Sequence, residues 1–278
     1  MIDLHMHSTC SDGTFSPTEL VRGAKAAGVT HMALTDHDTV SGLAEARAEA
    51  GRQGIAFLGG LEISAELQPG TLHILGYGVD ESSPALLHKL DYVQRARRER
   101  NPKIVANLNR LGFDLTMEEV EDEAGGKIVG RPHFAAVMVK KGQVASTQEA
   151  FDLYLAKGKP AYENKVRLSP EESIAAIRAA GGVAALAHPL QVKTRDEAEL
   201  ESILQRLVRA GLQGMECYYR NHTEEDTARF LDLAKAHGLF PTGGSDFHGT
   251  HRPNIHLGTG EGGLKVPMLC WDVIHNAL

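Results

Sequence analysis

The chain has 278 residues, a formal net charge of -7, 42% hydrophobic residues and three cysteines (Cys10, Cys217, Cys270) with no CxxC pair. These totals fit one large α/β domain, or one with an insertion, and exclude a disulfide scaffold, a thiolate zinc site and broad binding to duplex nucleic acid. No apolar run reaches the roughly 20 residues of a spanning helix, and the chain opens on a polar His/Asp motif instead of a secretory leader, so the cytoplasm is the expected location.

"DLHMHSTCSDG", residues 3 to 13, places Asp3, His5 and His7 at alternate positions and Asp12 five residues further on. Alternation is the period of a strand, so both imidazoles face one way and can reach a common ion at roughly 2.0–2.1 Å. Asp3 shares that face one step deeper, where hydrogen bonding to a ligand histidine suits it better than ligation. "SPTELVRGAKAAGVTHMALTDHD" (16 to 38) then reads as a helix with a Ser16/Glu19 capping box, Pro17 in its first turn and a stop at Gly28, followed by the strand MALT and His37. Next come a strand "IAFLGGLEIS" ending near Glu62 and the segment "LHILGYG" with His73.

Residues 85 to 165 break the rhythm and show no convincing strand; they read as a helical insertion capping the open end of the barrel that the remaining segments would form. It carries a basic run (Arg95, Arg97, Arg98, Arg100, Lys103), short helices with glycine stops in "TMEEVEDEAGG", "RPHFAAVMVKKG" and "TQEAFDLYLAKG", and the motif "GRPHFA" with Arg131 and His133. For the basic run, a solvated helix face is an equal reading. "SPEESIAAIRAAGGVAALAHP" (169 to 189) repeats the earlier unit with a Ser169/Glu172 capping box, a stop at Gly181 and His188 at the strand tip. A "GMECYY" strand near Glu216, a helix over 223 to 237, "FPTGGSDFH" with Asp246 and His248, and a terminal helix around Trp271 complete the chain. Alternating β and α elements with apolar strands predict parallel strands covered by helices, with the polar tips gathered at the carboxyl ends.

Any one of these tips has an ordinary explanation as a satisfied core histidine or a chance HxH pair. Together they place His, Asp or Glu at the end of one apolar segment after another, at a cost a core cannot bear unless bound cations neutralise the carboxylates. Nitrogen and oxygen donors without thiolate suit manganese, iron or zinc. Arg131 offers a planar fork for phosphate beside His133, or else caps a helix. Arg252 reads first as a solvated loop residue and second as a phosphate contact. Glu216 is open between a supporting role and an ordinary buried, paired carboxylate. His31, His88, His222, His237, His251, His256 and His275 have no matching partner and read as surface residues.

The ordered series "DLHMHSTCSDG", "TDHDT", "GLEIS", "LHILGYG", "AHP" and "GSDFH" resembles the PHP (polymerase and histidinol phosphatase) family of metal-dependent phosphoesterases, related to the amidohydrolases. The resemblance implies a distorted (β/α)7 barrel (PHP fold), interrupted by the insertion at 85–165 between barrel parts 1–84 and 166–278, and two or three divalent ions, manganese first, with iron or zinc as alternatives. It implies His5, His7, Asp12, His37, Glu62, His73, His188, Asp246 and His248 as metal ligands. His5, His7, Glu62 and Asp246 would hold one ion. Glu62 would bridge to a second held by His188 with His73 or His133, and Asp12, His37 and His248 would hold a third. Asp246 and His188 would handle protons while a metal-bridging hydroxide attacks phosphorus, and Arg131 and His133 would grip substrate. The insertion with "GRPHFA" is similar to the subgroup that removes the 3′-phosphate of 3′,5′-bisphosphate nucleotides. The expected substrate is therefore a small nucleotide bisphosphate, with short 5′-phosphorylated oligonucleotides cleaved by an exonuclease as the alternative. A non-catalytic nucleotide-binding module is the competitor from another class.

Overall fold

The structure is a computed structural model that describes residues 1–67, 70–125 and 129–278. Among the described residues the apolar segments form strands β1 (Ile2–Asp3), β2 (His31–Leu34), β3 (Ala56–Glu66), β4 (Thr71–Tyr77), β5 (Val183–Leu186), β6 (Gly214–Tyr219) and β7 (Phe240–Gly244), which pair in chain order into one sheet. The two ends of the sheet then meet. Leu4 N–H donates to Gly243 at 3.1 Å, Asp246 N–H to His5 at 2.8 Å and His7 N–H to Phe247 at 2.9 Å, so the chain beyond β7 pairs with the chain beyond β1. The result is a nearly closed seven-stranded barrel, the expected α/β architecture.

β4 departs from the parallel pattern: it runs antiparallel to both β3 and β5, while the other neighbours are parallel. A parallel return needs a crossover of about a dozen residues or more, and residues 67–70 are too few. β3 also runs past Glu62 to Glu66, because β4 supplies partners along its whole length, pairing Glu62 with Leu75 and Ser64 with His73.

Helices α1 (Pro17–Ala26) and α2 (Leu43–Gln53) cover the first strands. α1 opens with the expected Ser16/Glu19 capping box and is followed by Gly28 at φ 83°, a backbone region that disfavours a Cβ. Helix α3 (Pro84–Arg110) leads into α4 (Met117–Ala124), α5 (Arg131–Lys140) and α6 (Thr147–Ala150), the last continuing into a π-helical turn at Phe151–Leu155. α7 (Pro170–Ala179), with its Ser169/Glu172 box, precedes β5; α8 (Glu197–Arg209) and α9 (Glu224–Ala236) alternate with β6 and β7, and α10 (Met268–Ala277) follows. Among the described residues no helix is long and apolar enough to cross a membrane.

The chain divides into two compact units, Met1–Leu90 with Arg167–Leu278, and Asp91–Val166. In the first, Leu4, Ala33, Leu58, Leu75, Tyr77 and Ala185 pack with Cys270 and Ile274 of α10 into one core. The second holds helices joined by turns and coil, with no strand among its described residues, and has a core of its own around Ile104, Leu108, Phe134 and Met138. Its helix α4 stops at Gly125 in the left-handed conformation; Gly126, read with it as a stop, lies outside the described residues.

Candidate metal centre

The barrel carries its polar residues on one rim. His5 and His7 follow β1, His37 follows β2, His188 follows β5, and Asp246 and His248 follow β7. His73 lies near the amino end of β4, not at a carboxyl end, and joins the others because β4 runs the opposite way. Glu62, in β3 and fully buried, is the hub. Its Oε2 lies 3.3 Å from His5 Nε2, 3.3 Å from His7 Nε2 and 3.0 Å from His37 Nδ1. Its Oε1 lies 2.8 Å from His73 Nδ1 and 3.0 Å from His188 Nε2. Asp246 Oδ1 faces His7 Nε2 at 3.3 Å and His5 Nε2 at 3.7 Å. Asp12 Oδ1 approaches His248 Nε2 at 3.3 Å and its Oδ2 lies 3.8 Å from His37 Nε2. With 47% of its side chain exposed, Asp12 marks where this rim opens to solvent.

Three sets of donors converge closely enough to share an ion: His7, Asp12, His37 and His248; His5, His7 and Asp246; and His37, Glu62 and His73. Eight of the nine residues singled out from the sequence as metal ligands fall in these sets, His7 and His37 in two each, and His188 joins the same network through Glu62. Backbone strain is confined to the same rim. Asp38, His188 and Asp246, at φ 53°, 25° and 53°, are the non-glycine residues with positive φ among those described. Such conformations cost on the order of 1–3 kcal/mol each and persist where surroundings over-determine them. Gly244 serves the same closure, since a Cβ there would meet His5 Cβ and N at 2.4 Å.

A second layer fixes these groups. Glu216 on β6 faces His5 Nδ1 with Oε1 at 2.9 Å and accepts the His188 backbone N–H on Oε2 at 2.7 Å. The backbone carbonyl of Asp246 lies 2.8 Å from His248 Nδ1. Asp36 accepts from Ser8 N–H, Ser8 Oγ and Ser11 Oγ, which shapes the loop between His7 and Asp12. On the outer side of Asp246, Oδ2 accepts from Tyr219 Oη at 2.6 Å and from Arg252 Nη1 at 2.5 Å. Gln191 and Arg220 in turn donate to Tyr219 Oη.

Two expectations need correction here. Asp3 does not bond a histidine ring: it accepts from Ser245 N–H and Oγ, from Gly258 N–H and from the His5 backbone, so it clamps the β7 tip to β1, and Glu216 takes the part expected of it. Arg252 is only partly solvated: 40% of its side chain is exposed, and Asp246 holds its guanidinium. Glu216, Tyr219 and Asp36 are the supporting groups that sequence reasoning left open or missed; their only signal was position at or beside a strand tip. Of the histidines read as surface residues, His88, His251, His256 and His275 are exposed. His31, His222 and His237 are half-buried, His31 edge-on to Trp271 and His222 against Cys217 O.

Within the second unit, Arg131 donates to Leu155 O and lies over the rings of Phe151 and Tyr162. His133 Nδ1 accepts the Gly130 N–H at the start of α5. In the basic run Arg95 and Arg98 pair with Asp91, and Arg100 is buried against Asn101.

The electrostatics favour cations. Burial opposes ionisation of Glu62, Asp246 and Asp12, yet the surrounding imidazoles hold all three carboxyls well below the usual range. Burial likewise opposes charge on His7, but Asp246 and Glu62 lift its pKa to about 10; burial pushes His37 down to about 3. His5 Nε2, both ring nitrogens of His7, His37 Nδ1, His188 Nδ1, His248 Nε2 and Glu62 Oε2 are buried without hydrogen-bond partners. Buried polar atoms are normally satisfied. Divalent cations would satisfy this set of nitrogen and oxygen donors and neutralise its carboxylates, so the residues present fit such ions.

Comparison with known proteins agrees with that geometry. A 3′,5′-nucleoside bisphosphate phosphatase of Chromobacterium violaceum is 38% identical over 269 residues, covering 95% of this chain and 90% of that protein. A 5′-3′ exoribonuclease of Haemophilus influenzae is 35% identical over 246 residues, covering 88% and 89%. Among solved structures, an amidohydrolase from Chromobacterium violaceum with bound sulfate and no metal superposes with a TM-score of 0.83 at 35% identity, over 99% of this chain and 96% of that one. The family model for the PHP domain matches residues 3–210, and the chain belongs to that family.

Proposed function

We propose that the chain is a metal-dependent phosphomonoesterase that removes the 3′-phosphate of 3′,5′-bisphosphate nucleotides. The observation that carries the reading is Glu62, whose two oxygens face five imidazoles from four different segments while Oε2 and several of the ring nitrogens around it lack hydrogen-bond partners. In this reading His5, His7, Glu62 and Asp246 hold one ion, Glu62, His188 and His73 a second, and Asp12, His37 and His248 a third, with manganese as the metal. When bound, such ions supply positive charge to the phosphoryl oxygens and bring the pKa of water towards neutrality.

The protein's own groups have separate tasks. Asp246 turns Oδ1 inward and keeps Oδ2 engaged with Tyr219 and Arg252, an arrangement suited to a fixed, ionised carboxylate that orients the attacking oxygen. His188 points Nε2 at Glu62 Oε1, and with Asp246 we assign it to proton handling at the centre on the strength of the resemblance. Arg131 and His133 are proposed as substrate contacts on the strength of the resemblance. Three free cysteines accord with a cytoplasmic site of action.

The test is turnover by manganese-loaded protein on 3′-phosphoadenosine 5′-phosphate, nucleoside monophosphates and short 5′-phosphorylated oligonucleotides. Release of inorganic phosphate from the bisphosphate, leaving the 5′-monophosphate, is expected. Preferential removal of nucleotides from the oligomers would replace this reading with the exonuclease one, the activity named for the Haemophilus influenzae relative. No phosphate release from any of them would overturn it.

A further inference from the structure

Glu216 is a fully buried carboxylate that lies in none of the three donor sets, yet it contacts two of the proposed ligands from one position. A carboxylate only accepts. At 2.9 Å from His5 Nδ1, it therefore requires the proton on that nitrogen and leaves the Nε2 lone pair aimed at the cluster, where Glu62 Oε2 and Asp246 Oδ1 lie at 3.3 and 3.7 Å. Its other oxygen takes the backbone N–H of His188 at 2.7 Å. His188 sits at φ 25°, a strained conformation for a residue with a side chain. That bond holds the strained backbone in place, and with it the ring that points Nε2 at Glu62 Oε1.

We propose that Glu216 is a positioning residue that aims two ligand imidazoles, one beyond β1 and one beyond β5, into neighbouring ion sites with a single side chain. The proposal rests on reading His5 and His188 as metal ligands. The Asp12, His37 and His248 set is organised differently, through His7 and through the Asp246 carbonyl that faces His248 Nδ1. Loss of Glu216 should therefore weaken some ions and spare another, which a general loss of packing would not do.

Glu216→Gln keeps the shape but cannot make both contacts. With the amide oxygen towards His5, the NH2 opposes the His188 N–H; turned round, the NH2 opposes His5 Nδ1–H and forces the other tautomer. The experiment titrates Mn2+ into metal-free wild-type and Glu216→Gln protein and follows free Mn2+ by electron paramagnetic resonance, with a thermal melt of each metal-free protein. The expected result is a melting temperature close to wild type, a roughly 10–100-fold loss of affinity for part of the bound Mn2+, and an unchanged affinity for the remainder. Should Glu216→Gln fail to fold, Glu216→Asp, whose shorter carboxylate reaches only one partner, is expected to give the same split. Wild-type affinity at every ion in the variant would overturn the role of Glu216 alone, as would equal weakening of all of them. A wild-type protein that takes up no Mn2+ would overturn the metal-centre reading, and this inference with it.

Discussion

Glu62 shows how much one side chain decides. Five imidazoles converge on its two oxygens, and a neutral amide there would offer one acceptor where two are used. Glu62→Gln should bind less metal and lose on the order of 10²–10³ in kcat, the cost of removing a group that fixes transition-state charge; metal analysis and steady-state kinetics check it, and full metal content with full kcat would refute the assignment. Tyr219 acts one step out. Its hydroxyl donates to Asp246 Oδ2 at 2.6 Å, and a hydrogen bond to a charged group contributes about 1.5–3 kcal/mol. Tyr219→Phe should lower kcat about 10-fold with KM nearly constant, because Arg252 remains to hold the carboxylate. Unchanged kcat would mean that Arg252 alone suffices. The residues that converge on Glu62 were legible in the sequence because imidazoles and carboxylates at strand tips are anomalous. Tyr219 and Glu216 were less so, since a tyrosine and a glutamate in an apolar strand look like ordinary buried residues until their partners, brought by other strands, are seen.

At the scale of elements, local rules carried well and directional ones less so. The capping boxes at Ser16/Glu19 and Ser169/Glu172 form as read, because each closes within four residues. The reversed β4 and the long β3 depend on what pairs across the sheet, which periodicity within either strand does not reveal. The packing of α1 against α2 has a charge at its centre that was equally hidden. Glu49 on α2 accepts from Arg22 of α1 at 2.7 Å, and also from Gln53 and Arg52. Those bonds, Arg22 first, pull its pKa to about 2. A carboxyl whose folded pKa lies below its unfolded value stabilises the fold above the unfolded pKa, about 4.3. It loses that contribution as pH falls towards the folded value. Glu49→Gln should therefore melt below wild type at neutral pH, and the gap should close between about pH 4.5 and about pH 2. Paired thermal melts across that range check it; a gap that stayed constant would show that the hydrogen bonds, not the charge, carry the effect.

On the scale of the whole molecule, the centre exists only when the barrel closes. His5, His7 and Asp12 come from the start of the chain and Asp246 and His248 from near its end, and the closing bonds beyond β1 and β7 bring them together. Asp3 joins the same two ends, bonding Ser245 and Gly258 across 242 and 255 positions. No spacing within one sequence signals a partner that distant, which is why Asp3 was read as the support of a neighbouring histidine when its main partners lie near the other end of the chain. The same topology makes metal binding a property of the folded barrel, because an unfolded chain scatters the donors along 244 positions, from His5 to His248. A ligand that binds only the folded state stabilises it by about 2.7 kcal/mol at 100 times its Kd. For a chain of this size that is roughly 5–10 °C in melting temperature, at about 2–4 °C per kcal/mol. Chelation should lower the melting temperature by that amount and added Mn2+ should restore it. The effect should shrink in Glu62→Gln, which lacks the hub, and persist in full in Glu49→Gln, which lies outside the cluster. Equal shifts in both variants would show that Mn2+ stabilises the protein from somewhere other than this rim.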